Sequence, residues 1–77
     1  MIVFYSNHAL RRMLERGMSN NSVETTLMKP DTTENEQDQK KAIKKIGEKA
    51  LVVIYRETTE GPFVITAYMT SKLNRFF

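Results

Sequence analysis

The run Leu51-Val52-Val53-Ile54-Tyr55 constrains the fold more than any other segment. β-Branched residues dominate it, and apolar side chains fall on both alternating faces, so a strand built from it needs cover on both sides. That requirement places it centrally in a sheet. A chain of 77 residues has room for only one core, because burial is already marginal below about 60 residues. The whole sequence, residues 1–77, therefore reads as a single domain. With 40% hydrophobic and 27% charged residues, its composition is that of an ordinary globular chain rather than a disordered tail, a collagen or a coiled coil.

Around this strand the remaining elements can be placed in order. Met1 to Tyr5 is a short bulky run suited to an opening strand, and Ser6 or Asn7 then offers a side-chain oxygen to cap a helix over about His8 to Arg16. Gly17 can take the left-handed conformation that closes helices. Ser19 is a second cap candidate, Val23 and Leu27 mark the buried side of a short second helix, and Lys29 before Pro30 ends it. Thr32 to Gln39 is polar and gives no clear element. Lys40 to Gly47 reads as part of a hairpin, although Ala42, Ile43 and Ile46 would also fit a helix. The turn Thr58-Thr59-Glu60-Gly61-Pro62 joins the Leu51–Tyr55 strand to a final one, in which Phe63, Ile65 and Ala67 alternate with Val64, Thr66 and Tyr68. The expected fold is α+β, with two N-terminal helices packed on one face of a three- to four-stranded antiparallel sheet.

Cysteine is absent and histidine occurs once, which removes disulfides and thiolate zinc sites and disfavours a His-rich metal site. The expected cofactor complement is none, and no metal. The opening residues lack a signal-peptide pattern, and no apolar stretch approaches the roughly 20 residues of a membrane span, so cytoplasmic work without a membrane partner is expected. A net charge of +3 permits a polyanionic partner without demanding one. The distribution is more telling. Arg11, Arg12 and Arg16 cluster early, Lys40, Lys41, Lys44, Lys45 and Lys49 cluster in the middle, and Asp31, Glu34, Glu36 and Asp38 lie between them.

On a helical wheel, Ala9, Leu10, Met13 and Leu14 share an arc expected to face the sheet. His8, Arg12 and Arg16 recur every four residues along the border of that arc, while Arg11 and Glu15 point outward. A guanidinium offers forked donors to phosphate oxygens, and His8 is the one side chain whose ordinary titration lies near neutrality. Beside the core such a ladder would hold a phosphate in a partly desolvated groove. A structural alternative pairs Arg12 and Arg16 with Glu15, Glu24 or Glu57 and leaves His8 to begin the helix. For the middle lysines the alternative is a solvated surface.

The run His8-Ala9-Leu10-Arg11-Arg12-Met13-Leu14-Glu15-Arg16-Gly17, continuing to Val23, Leu27 and Pro30, resembles the His-Ala-x-x-Arg-Met-x-x-Arg-Gly opening of a small bacterial and phage domain family of unknown function. Val52 to Arg56 and Ile65-Thr66-Ala67-Tyr68 extend the likeness, which is weak over Thr32 to Gln39 and beyond Ser71. That family is in turn similar to RelE/ParE-like toxins and to barnase-like and colicin-type nucleases. The resemblance implies a metal-independent endoribonuclease toxin in which the ribose 2′-hydroxyl attacks phosphorus. It implies His8 as proton carrier, Arg12 as stabiliser of the phosphorane charge and Thr66 as the hydroxyl that positions the scissile phosphate. Arg16 would be a second clamp, Tyr55 and Tyr68 would stack on bases, and Lys44 and Lys45 would bind RNA. Expected partners are RNA and a cognate antitoxin or immunity protein. The competing expectation is a non-catalytic RNA- or protein-binding module of a phage or mobile element.

Overall fold

In the computed structural model, which describes residues 2–77, the chain runs β1 (Phe4–Tyr5), α1 (Asn7–Glu15), α2 (Asn20–Met28), β2 (Thr32–Asn35), β3 (Lys40–Ile46), β4 (Lys49–Thr58) and β5 (Gly61–Thr70), and closes with a 3-10 turn, Leu73–Arg75. Met1, expected to open the first strand, lies outside the described residues. The strands form one sheet in the order β1-β5-β4-β3-β2. Neighbours are antiparallel except at β1, which runs parallel to β5 with Phe4 beside Phe63 and Tyr5 beside Val64.

This sheet corrects the expected three- to four-stranded antiparallel one: it has five strands and is mixed. Two strands escaped the sequence pattern for physical reasons. β1 is two residues long, and its partner lies at the far end of the chain. β2 is an edge strand, Thr-Thr-Glu-Asn, with three of its four residues exposed, so it lacks the apolar alternation of a strand with one buried face. Lys40–Ile46 is a strand, as the hairpin reading has it, and the run Leu51–Tyr55 lies in the middle strand of the five.

The middle strand is covered on both faces. On one, Leu51 and Val53 pack with Val64 and Ala67 of β5, Ala9 and Met13 of α1 and Val23 of α2, with Tyr5, Leu27 and Tyr55 at the margin. On the other, Val52 packs with Ile43 and Ala50, and Ile54, Tyr68, Leu73 and Phe76 close over them. The terminal turn thus doubles back to shield the sheet face that the helices leave bare. Gly61 sits where the N-terminal segment crosses the β4–β5 turn. Its φ is +135°, and a Cβ there would lie 2.5 Å from the Ile2 carbonyl oxygen.

The seat of α1 is narrower than the wheel implies. Ala9 and Met13 are 0% and 3% exposed, whereas Leu10 and Leu14 are 45% and 84% exposed. The small Ala9 lets the helix approach β5 along a line of contact through Ala9 and Met13, which lie one turn apart. Ser6 caps α1, its Oγ accepting from the Ala9 N–H at 2.9 Å. Ser19 caps α2 in the same way through the Ser22 N–H.

One irregularity sets the geometry of β5. Ile54 pairs with Thr66 but Tyr55 pairs with Val64, so Ile65 is an extra residue, a β-bulge. Alternation resumes out of phase beyond it. Val64 and Ala67 both face the helices, while Tyr68 faces the tail and Thr66, two residues before it, shares its side.

Two substitutions test this packing. Leu51→Ala should lower unfolding stability by about 2–5 kcal/mol through cavity formation, while Leu14→Ala should change it by no more than about 0.5 kcal/mol. Urea denaturation followed by circular dichroism reads both, and equal losses would contradict the narrow contact of α1.

Candidate functional site

The cationic ladder is present and open to water. His8, Arg12 and Arg16 are all exposed; they recur at a spacing of four and so run along one side of α1 and its C-cap. His8 is the second residue of the helix. Arg16, the C-cap residue, also lines a cleft of about 250 Å³ with Gly17, Met18, Ser19, Ile46 and Met69. The Arg12 side chain keeps 45% of its surface exposed, and among the described residues its one ion pair is with Glu15 at 3.5 Å. Such a solvent-exposed pair contributes only about 0–1 kcal/mol and yields readily to a stronger anion. Among the described residues His8 and Arg16 make no side-chain hydrogen bond or ion pair. The partly desolvated groove expected beside the core is therefore not what α1 provides. Its cations act at the surface, where salt screens them.

The other expected site residues divide between the two faces of the sheet. Tyr55 lies on the helix face, half-buried against the core. Lys44 shares that face through its pairing with Leu51, but its ammonium donates to the Lys29 carbonyl at 3.1 Å, an orphan acceptor at the end of α2. Thr66, Tyr68 and Lys45 lie on the opposite face, Lys45 by its pairing with Ala50. The cause is the bulge at Ile65. Strict alternation from Val64 would turn Thr66 and Tyr68 toward the helices, and the extra residue reverses both. The structure thus gathers His8, Arg12 and Arg16 and separates them from Thr66, Tyr68 and Lys45 by the thickness of the sheet.

Two further polar residues matter here. Tyr5 on β1 donates its hydroxyl to a Glu24 carboxylate oxygen at 2.8 Å, tying the edge strand to α2. Glu24, a possible partner for Arg12 or Arg16 on spacing, is engaged by this phenol instead. No local sequence signal joins residues 19 positions apart. Ser6 is the other. Besides capping α1, its hydroxyl donates to the Ile65 carbonyl at 2.7 Å, and its backbone N–H donates to the Val64 carbonyl at 2.9 Å. The cap was legible from the sequence, but the bulge it serves was not.

Among the described residues no three His, Asp or Glu side chains are gathered closely enough to hold a metal ion. No described helix is long and apolar enough to cross a membrane. The sequence pattern of a family described as "Domain of unknown function (DUF4258)" matches residues 5–69. The chain belongs to that family. No curated protein and no solved structure matches it. In this family member the matched span begins at Tyr5 and stops at Met69, so it contains the basic side of α1 and the bulge but not the tail that covers the second sheet face.

Burial, and then the hydrogen bond and charge of Glu24, push the Tyr5 phenol well above its ordinary value of 10.0. Burial also raises the Tyr55 phenol, with the charge of Glu57 adding to it. A raised folded-state pKa means that the stabilisation is complete below pH 10 and is lost as pH rises through the alkaline range. Thermal unfolding measured from pH 8 to 12 should show the midpoint falling above about pH 10. Tyr5→Phe should shrink that fall while Tyr55 retains part of it, and an unchanged slope in Tyr5→Phe would contradict the assignment.

Proposed function

We propose that this chain is a metal-independent endoribonuclease of toxin type, acting in the cytoplasm and restrained by an antitoxin or immunity protein. The observation that carries the reading is an imidazole and two guanidiniums, His8, Arg12 and Arg16, at successive turns on the open side of one helix. Their only ion pair among the described residues is the weak one to Glu15. The His8–Gly17 motif resembles the opening of a family of unknown function that is in turn similar to RelE/ParE-like toxins, and that likeness supports the same reading.

In the proposed reaction His8 takes the proton from a ribose 2′-hydroxyl, and the freed oxygen attacks the adjacent phosphorus. The bond to the 5′-oxygen breaks, leaving a 2′,3′-cyclic phosphate, and the departing oxygen takes its proton from solvent, which reaches this exposed surface. Arg12 offers forked donors to the oxygens on which charge builds, and Arg16 holds the neighbouring phosphate. Thr66, Tyr68 and Lys45, on the far side of the sheet, serve at most as contacts for a longer RNA that passes around the molecule.

That separation favours a second reading, RNA binding without cleavage, because it leaves the imidazole with phosphate clamps but no hydroxyl or ring from β5 beside it. Incubation with tRNA and mapping of the ends separates the two. Under the first, wild-type protein gives discrete fragments ending in cyclic phosphate, and His8→Ala or Arg12→Ala reduces the rate by about 100-fold or more. Under the second, RNA stays intact, and affinity falls steeply with salt and with Arg12→Ala but not with His8→Ala.

A further inference from the structure

We infer that the cleft between Phe4, Phe63 and Glu60, where the β4–β5 turn meets β1, receives an arginine side chain from a partner protein. Tyr5 and Thr58 complete its lining, and its volume is about 370 Å³, within the span of about 300–1,000 Å³ common for ligand sites. The inference does not rest on the cutting of RNA.

Pairing places both phenyl rings on one face of the sheet. Phe4 stands beside Phe63 across the parallel pair, and Phe63 stands beside Arg56 of β4. Ile54 packs with the cluster under the tail, so Arg56, two residues on, shares that face, and so do the two rings. The tail does not cover them. Leu73 and Phe76 close over Ile43, Ala50 and Val52, and neither Phe4 nor Phe63 belongs to a core cluster. Phe4 is 41% exposed. Apolar side chains gathered in one open cleft, unlike scattered single ones, mark an interaction site.

Glu60 gives the cleft its one charge, and the turn holds it in place. The Thr58 hydroxyl donates to the Gly61 carbonyl at 2.6 Å and accepts the Glu60 N–H at 3.2 Å. The Thr59 hydroxyl donates to one Glu60 carboxylate oxygen at 3.1 Å. Among the described residues no cation pairs with Glu60, whereas Glu15 has Arg12, and Glu34 and Glu36 have Lys41. Arg56, the cation beside Phe63, is engaged elsewhere, its Nε donating to the Asp38 carbonyl at 3.3 Å.

A carboxylate next to two phenyl rings selects a cation with a flat, weakly hydrated body. A guanidinium meets both demands: it stacks on a ring, forks to the carboxylate and covers apolar surface with its methylene stem. A nucleotide could stack as well, but its phosphate would be repelled by Glu60. Three of the five lining residues, Phe4, Thr58 and Glu60, are exposed, so the cleft encloses too little of a free small molecule to retain it. A side chain held by a partner's backbone needs no such enclosure. A second copy is disfavoured as the donor because each chain carries a net charge of +3.

The test is an NMR titration of the full chain with three probes: acetyl-Gly-Arg-Gly-amide, its citrulline counterpart, which keeps the shape and loses the charge, and guanosine 5′-monophosphate. The arginine peptide should shift the Phe4, Glu60 and Phe63 signals saturably below about 10 mM. The citrulline peptide should bind about tenfold more weakly, and Glu60→Gln or Phe4→Leu should each weaken the arginine peptide by about three- to fivefold. Equal binding of the two peptides, no shift at these three residues, or an unaltered affinity in Glu60→Gln would overturn the proposal. So would the nucleotide shifting the same signals as strongly, which assigns the cleft to a base, or their movement with protein concentration in a chain that sediments as a dimer, which assigns it to a second copy.

Discussion

Much of this small structure depends on one serine. Ser6 donates its hydroxyl to the Ile65 carbonyl, accepts the Ala9 N–H on the same oxygen, and gives its backbone N–H to Val64. Three bonds at one residue join the edge strand, the start of α1 and the bulge in β5. A bulge leaves its extra residue out of the ladder, and an unmet carbonyl at a half-buried position carries a desolvation cost of about 1–3 kcal/mol. The Ser6 hydroxyl meets that carbonyl while ordering the helix that presents His8 and Arg12. The position of the basic ladder and the phase of β5 are therefore set by the same contact.

The parts of the fold that could be read from the sequence are those with a local pattern. Leu51–Tyr55 declared a strand buried on both sides, Ser6 or Asn7 and then Ser19 offered caps, and Gly17 declared a helix end. What could not be read was non-local or small. Phe4–Tyr5 has too few residues for a period, and its parallel pairing with Phe63 and Val64 spans nearly the whole chain. Thr32–Asn35 lacks alternation because an edge strand exposed to water has no need of it. The bulge was the most consequential of these hidden features. One additional residue in Phe63–Tyr68 exchanges the faces of every later side chain, and no composition signal marks Ile65 as that residue. The ladder of His8, Arg12 and Arg16 was thus legible from helical spacing, while its supposed companions Thr66 and Tyr68 were displaced by a feature of pairing.

The exposure of α1 bears on how its charges work. Cations in a dry groove gain strength from a low dielectric, whereas those on an open helix trade with water and salt. Under the proposed function, Arg12 and Arg16 capture and orient an anion quickly rather than hold it tightly. The wide burial expected for α1 and the partly desolvated phosphate groove went together, and both give way to the single line of contact through Ala9 and Met13.

The parallel pairing of β1 with β5 also governs the order in which the chain can become ordered. β1 is made well before the strand it pairs with, so during synthesis Phe4 and Tyr5 have no ladder to join until Phe63 and Val64 emerge. Until then α1 can be capped by Ser6 but not anchored through it, because the carbonyls of Val64 and Ile65 do not yet exist. Contacts of such long sequence separation form late and slowly. The hairpins β2–β3 and β3–β4 can assemble beforehand, and the helix bearing His8 is fixed in place only when the two ends of the matched domain meet.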